Sequence, residues 1–464
     1  MDKFIDMLDW SAVDLFAVSR EETERLQLQG AKDRFTELID QIPMLKVLAD
    51  NQGIGEIRSV NDLVPILFKH TTLKSYPISL LEDGRFDRLT QWLDKLTTHD
   101  LSSYDASGVD TIDGWLAWLE KNTPMRLAHS SGTSGKLSFF PRSTDDMPML
   151  VKGIFKAYEG IGDEPKNDLF NSGKDMVFVF AGFRGGNTIP RFMMDGFASM
   201  VTGREDSVIA LYPSSMSADV LSLQGRVKTA AAAGRLNELK ISPGLLARRD
   251  ELTALFKNRP QQIRDFVDHY RKHYGDRKAI VMGHWTTYLE LKTACEEMGF
   301  THLFAPGSVV TGGGGSKGQT LPDGYVETVA DFMGIDWLRQ FYGMTEINGW
   351  ARQCPNRQYH IPPYTIPFLL DPDSGEPLPR TGRQTGRFSF LDLLAKTYWD
   401  GCISGDELSI EWDKSCGCGR GNPYISAPIQ RYSEMQEGDD KISCAGAHNA
   451  HEDALNFLAE LKAA

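Results

Sequence analysis

The chain has 464 residues, 41% of them apolar and 24% charged, which is the composition of a folded protein with a sizeable core and excludes a disordered one. A net charge of -13 and an isoelectric point near 5.3 exclude a broad nucleic-acid or anionic-membrane surface, since such surfaces need clustered Lys and Arg. The longest apolar run, 176–183, is too short to span a bilayer, and Met1-Asp2-Lys3-Phe4-Ile5-Asp6 lacks the pattern of a secretion signal, so a cytoplasmic protein without a membrane partner is expected.

Residues 1–125 read as a helical accessory layer: 23–39 and 85–96 carry apolar residues at three-to-four spacing with charges between them. From Asp175 the texture changes to short β-type runs at 176–180, 207–211, 279–282 and 307–311. Helical patterns at 259–274, 287–298 and 326–340 separate or follow them. This alternation predicts an α/β core over 126–381, with parallel strands covered by helices on both faces. Beyond Gly382 strand, Gly and Pro signals dominate, as in 386–390 and 407–412, and predict a smaller β-rich subdomain over 382–440. A residual helix is expected within 441–464, over 449–461.

Several constellations carry chemistry. Ser130-Ser131-Gly132-Thr133-Ser134-Gly135-Lys136 is too small and glycine-rich to pack a core, and offers N–H groups, hydroxyls and one ammonium to an anion. Only two residues separate Gly132 from Gly135 and Leu137 follows Lys136, so the string departs from the common phosphate loop; standing alone it serves equally as a flexible turn. Gly312-Gly313-Gly314-Gly315 follow a strand pattern, as a permissive turn or as backbone that a flat ligand approaches closely.

Cys354, His360, Cys416 and Cys418 supply three thiolates and one imidazole, the ligand set of a closed tetrahedral zinc site. Core or free thiols account for Cys295, Cys402 and Cys444. His448 and His451, beside Glu452 and Asp453, suit a solvated helix face better than a second metal site.

The 130–136 loop, the glycine segment, Tyr342-Gly343-Met344-Thr345-Glu346 and Ser404-Gly405-Asp406 occur in the order seen in the adenylate-forming superfamily, and the chain resembles it from about 127 to 446. Cys354 and His360, followed by Cys416-Gly417-Cys418-Gly419-Arg420, resemble its phenylacetate-CoA ligase branch, where a structural zinc pins the segment after the Thr-Glu motif. The resemblance implies a large α/β domain of parallel sheets flanked by helices, a β-rich subdomain, and ATP-dependent activation of a carboxylic acid to an acyl-adenylate with release of pyrophosphate.

On that resemblance Ser130, Ser131, Gly132, Thr133, Ser134, Gly135 and Lys136 cradle phosphate, while Gly312, Gly313 and Gly314 hold adenine. Tyr342 stacks on the purine, Thr345 meets the α-phosphate, Glu346 holds Mg²⁺, Asp406 takes the ribose hydroxyls and Arg431 closes the nucleotide site. Thr345, Glu346 and Lys136 carry catalysis. His284, Trp285 and Gly343 line the carboxylate pocket, and Trp285, Tyr288, Ile347 and Trp350 suggest an aryl or other apolar acid. The expected cofactors are ATP or AMP, Mg²⁺ and structural Zn²⁺.

The superfamily continues past a hinge, here near Asp439 and Asp440, into a swinging domain; 441–464 is too short for one, so a truncated C-terminal domain is expected. The acceptor is then CoA, an amine or a carrier protein, or a partner protein supplies the missing half. Cys444 is the cysteine nearest the position from which luminescence acyl-protein synthetases pass on an acyl group. Two rival functions fit the same residues: a non-catalytic homologue binding ATP or acyl-adenylate, and an acyltransferase using preformed acyl-adenylate.

Overall fold

The computed structural model describes residues 2–130, 135–159, 169–256, 259–313, 321–335, 338–421, 423–432 and 435. Ser131, Gly132, Thr133, Ser134, Gly314, the hinge at 439–440, Cys444, His448, His451 and the helix expected over 449–461 lie outside the described residues.

The amino-terminal layer begins with capped helices. Helix Arg20–Leu38 starts at Ser19, whose hydroxyl accepts from the N–H of Glu22 at 3.3 Å, and Glu21 and Glu22 suit the positive end of the helix dipole. Leu26, Ala31, Phe35 and Leu38 are buried along it. Two polar side chains dock the same helix: Gln27 donates to the carbonyls of Pro363 and Thr365 at 2.9 and 3.0 Å, and buried Arg34 donates to those of Ala395 and Tyr398. The layer also contributes β1 (Phe68–Lys69), which pairs in parallel with the later strand Gly401–Glu411. Next, β2 (Ala128–His129) and β3 (Phe139–Phe140) form an antiparallel ladder.

β4 (Val177–Gly185), β5 (Val208–Ser215), β6 (Ala279–His284), β7 (Val309–Gly313) and β8 (Arg339–Tyr342) run parallel in the order β5-β4-β6-β7-β8. Along β4, Val177, Val179 and Ala181 enter one apolar cluster, while Phe178 and Phe180 enter another. Successive strand side chains point to opposite faces, so a strand covered on both sides reads as an uninterrupted apolar run. Helices Arg259–Tyr274, Trp285–Glu297 and Tyr325–Met333 give Phe266, Leu291 and Phe332 to the first cluster; Met147–Lys156 and Ile189–Gly196 give Phe155 and Phe192 to the second. The α/β class expected from the alternating pattern is the observed one.

The helix expected over 326–340 ends at Met333. Gly334 adopts a left-handed φ of 68° there and its N–H closes onto the carbonyls of Ala330 and Asp331, so the chain leaves the helix and returns as β8.

β8 is also where the sheet changes character. Its other neighbour, β9 (Ala351–Gln353), is antiparallel, and β10 (Tyr359–His360), β11 (Thr365–Leu370), β12 (Arg383–Asp392), β13 (Gly401–Glu411) and β14 (Tyr424–Arg431) extend the sheet as β9-β10-β14-β13-β12-β11, all antiparallel. Among the described residues this makes a twelve-stranded sheet with β1 beside β13. The loop leaving β8 therefore emerges at the carboxyl ends of the parallel strands, where open α/β sheets take their ligands, and beside the antiparallel half.

Candidate functional site

β8 ends at Tyr342, whose hydroxyl donates to Asp406 Oδ2 at 2.9 Å and whose ring meets Phe388 edge-on at 5.4 Å. Asp406 on β13 is the register partner of Arg431 on β14, and Arg431 Nε lies 3.6 Å from Asp406 Oδ1. Directly opposed residues of an antiparallel pair share one face, so the register itself sets this contact. Burial raises the carboxyl of Asp406 above its ordinary value, opposed by the Arg431 charge and the Tyr342 hydrogen bond. Glu346, four residues beyond the end of β8, is raised by burial and further by the charge of Asp406, while Arg431 and Arg142 oppose. Tyr342, Glu346, Asp406 and Arg431 thus form one electrostatic unit, with two acids in need of positive charge and a carboxylate beside a guanidinium.

The loop after β8 is held rigidly. Arg142, wholly buried, donates through its guanidinium to the carbonyl of Thr345 at 2.7 Å and to Asn348 Oδ1 at 3.0 Å. The side-chain amide of Asn348 donates to Asp400 at 2.9 Å, and the N–H groups of Asn348 and Gly349 donate to Asp392 at 2.8 and 3.2 Å. At Gly343 a Cβ would come within 2.4 Å of the Trp350 ring, so only glycine lets the loop fold over that indole. Arg142, Asn348, Asp392 and Asp400 escape a motif search because each is a lone polar residue. The one local signal is Asp392, Tyr398 and Asp400 set among the apolar residues of 392–400.

Elsewhere, Ser130 Oγ accepts from the N–H of Ser138 at 3.0 Å, and the carbonyl of Gly135 accepts from Ser222 Oγ at 2.7 Å. Lys136 places its ammonium 5.1 Å from the Tyr76 ring centroid, at a cavity of about 480 Å³ that Tyr342, Glu346, Asp406 and Arg431 do not line. His284 ends β6, is the N-cap residue of helix Trp285–Glu297, and is the register partner of Gly313 on β7. Trp285 is 4% exposed; it packs edge-on against Tyr325 at 5.0 Å and over Gly312, where a Cβ would sit 2.7 Å from the indole. The bare backbone at 312 accommodates this core ring.

Cys354 follows β9, His360 ends β10, and Cys416 and Cys418 lie in the turn after β13. Their four ligand atoms lie within 4.8 Å of one another. His360 Nε2 is 3.1 Å from Cys416 Sγ and 3.2 Å from Cys418 Sγ, and the Cys354 and Cys416 sulfurs are 3.9 Å apart. Asn356 ties the two segments by donating to the Cys416 carbonyl at 2.6 Å. Burial, then the charges of Arg420 and Arg352, pull the imidazole of His360 down to about 3, so it is neutral and offers a lone pair. Burial pushes the Cys416 thiol up, and a bound cation would reverse that. Three sulfurs and one nitrogen converging in this way fit Zn²⁺.

No family model and no curated protein matches the chain. Among solved structures it is similar to an ATP-bound RpMatB-BxBclM chimera, B3, at 16% identity and a TM-score of 0.35, over 64% of this chain and 47% of that one. It is likewise similar to MatB from Rhodopseudomonas palustris, ATP-bound (15% identity, TM-score 0.34, 64% and 47% of the two chains) and apo (15%, 0.36, 72% and 52%). The chain spans about half the length of the solved structures it matches. Among the described residues no helix is long and apolar enough to cross a membrane.

Proposed function

We propose that this chain activates a carboxylic acid with ATP: a carboxylate oxygen attacks the α-phosphorus, the α–β phosphoanhydride bond breaks, and acyl-adenylate and pyrophosphate result. The observation that carries this reading is the convergence of Tyr342, Glu346, Asp406 and Arg431 beside the carboxyl end of β8. A carboxylate such as Asp406 suits a vicinal diol because it accepts two O–H bonds, Glu346 offers a hard oxygen to Mg²⁺, and the Arg431 guanidinium suits phosphate.

The residues act by position and charge. Thr345 and Glu346 stand on a loop fixed by Arg142 and Asn348, so the groups facing the α-phosphate need no reorganisation when charge shifts to the leaving group. Mg²⁺, held at Glu346, would neutralise phosphate charge. Zn²⁺, held by Cys354, His360, Cys416 and Cys418, would fasten the β9–β10 hairpin to the turn after β13 and leave no coordination position open for substrate. The acid, aryl or otherwise apolar, would enter beside His284 and Gly343, and the acyl group would pass to CoA, an amine or a carrier protein.

The deciding experiment is acid-dependent exchange of labelled pyrophosphate into ATP by the purified chain, over a panel of aryl and aliphatic acids. Exchange with one class of acid, dependent on Mg²⁺, is expected. Tight ATP binding without exchange for any acid would instead describe a nucleotide-binding protein and end the catalytic reading.

A further inference from the structure

We infer that Arg420 is the counter-charge of the metal centre and couples its metal to the amino-terminal layer; the inference deepens the zinc reading of Cys354, His360, Cys416 and Cys418 and rests on it.

Three thiolates and a neutral imidazole around Zn²⁺ leave one net negative charge on the centre. Cys354 and His360 are buried, and a charge taken out of water needs an opposite charge close by. Arg420, 4% exposed, stands in that place: its Nη1 donates to Cys418 Sγ at 3.7 Å. Its Nε and Nη2 are buried with no hydrogen-bond partner, and among the described residues it pairs with no carboxylate. Against protonated thiols this guanidinium is a buried charge without an anion; against metal-bound thiolates it is compensated. A second guanidinium, that of buried Arg352, stands opposite His360 in the register of β9 and β10.

The Arg420 guanidinium also reaches the amino-terminal layer, where it lies 5.5 Å from the centroid of the buried Phe16 ring. The start of the same turn is tied to that layer by Arg20, which donates to the carbonyl of Trp412 at 2.9 Å, to Asp413 at 2.6 Å and to the carbonyl of Arg380 at 2.6 Å. The segment that carries Cys416 and Cys418 is thus held at both ends by residues 16–20. Such coupling is reciprocal: metal favours the docked layer, and the docked layer retains metal.

Transfer of zinc from the purified chain to a coloured chelator tests the inference. Arg420→Met keeps apolar bulk against Phe16 but removes the charge, and should release zinc about ten-fold faster or more. Arg420→Lys, which keeps the charge, should recover part of the difference. In the Co²⁺-loaded chain the thiolate-to-cobalt charge-transfer band should move to longer wavelength in Arg420→Met, since a cation beside a thiolate holds its electrons more tightly. An arginine that only packs would leave the band in place. Should Arg420→Met fail to fold, Arg420→Gln, neutral but polar, takes its place with the same expected outcome. Arg20→Gln loosens the start of the turn and leaves Arg420 intact, so it should speed release by a smaller factor; a wild-type rate there removes the coupling to the layer. Release and band both unchanged in a folded neutral variant of Arg420 overturn the inference while the zinc reading stands. A wild-type chain that takes up neither Zn²⁺ nor Co²⁺ removes the zinc reading and this inference with it.

Discussion

Arg142 and Thr345, 203 residues apart, meet where the buried guanidinium donates to the main-chain carbonyl at 2.7 Å. The contact fixes the residue before Glu346, and the same guanidinium reaches Asn348 two positions on. Removing a buried charged partner typically costs about 3–5 kcal/mol, and Arg142→Met should lose that much in urea unfolding. Arg142→Lys keeps the charge but loses the planar fork, so it should fold better yet still exchange pyrophosphate poorly. Wild-type exchange by folded Arg142→Lys would show that the loop needs no such anchor.

Glu346→Gln should reduce exchange by about a hundred-fold or more, because the amide keeps the shape but loses the charge proposed to hold Mg²⁺. Its stability should stay within about 1 kcal/mol of wild type, since burial already disfavours the charged carboxylate there. Lys136→Ala should be milder, as main-chain N–H groups of the loop remain. Exchange at the wild-type rate in Glu346→Gln would remove Glu346 from the site.

How far the chain could be read depends on what each feature requires. The run at 279–282 and the pattern at 259–274 are long or strongly periodic, and they match β6 and helix Arg259–Tyr274 because burial alone dictates them. The stretch 326–340 misleads because its apolar spacing continues past Gly334, where one left-handed residue ends the helix. That Cys354, His360, Cys416 and Cys418 come together was legible because cysteines spaced in a polar loop have few other uses. The buried set of Arg34, Arg142, Asp392 and Asp400 was not: its members are drawn from three distant segments by the closing of the sheet, and no local spacing records that.

Asp406→Asn should weaken ATP binding by about ten-fold, because an amide accepts through one oxygen where the carboxylate accepts through two. Tyr342→Phe removes only the hydroxyl that donates to Asp406 at 2.9 Å, and its loss should be several-fold smaller. The two effects should not add in the double variant, since the residues touch. Equal ATP affinity in wild type and Asp406→Asn would place the ribose elsewhere.

Metal analysis should find about one zinc per chain, resistant to dialysis. Cys416→Ser or a strong chelator should destabilise the protein by about 3 kcal/mol or more, because a structural metal contributes directly to folding. Chelation that leaves the urea midpoint unchanged would mean that the quartet carries no structural metal.

Asp113 and Asp219 cap each other's helix, and this reciprocal arrangement gives a pH prediction. Asp219 accepts from the N–H groups of Ile112 and Asp113 at 2.8 and 2.9 Å, while Asp113 accepts from the N–H of Ala218 at 2.7 Å and from the Ser217 hydroxyl at 2.6 Å. Arg248 donates to Asp113 at 2.8 Å and lies 3.8 Å from Asp219. Burial, then the Asp113 charge, push the Asp219 carboxyl from 3.8 up to about 7. The folded chain therefore binds this proton more tightly than the unfolded chain, so the stability it contributes is full below about pH 4 and is lost as pH rises through about 7. Asp219→Ala should cost about 1–3 kcal/mol through the lost caps. Asp219→Asn cannot titrate, so the stability of wild type relative to it should be greater at about pH 5 than at about pH 8. Urea midpoints at the two pH values check this, and a difference that stays constant between them would show that Asp219 titrates in its ordinary range.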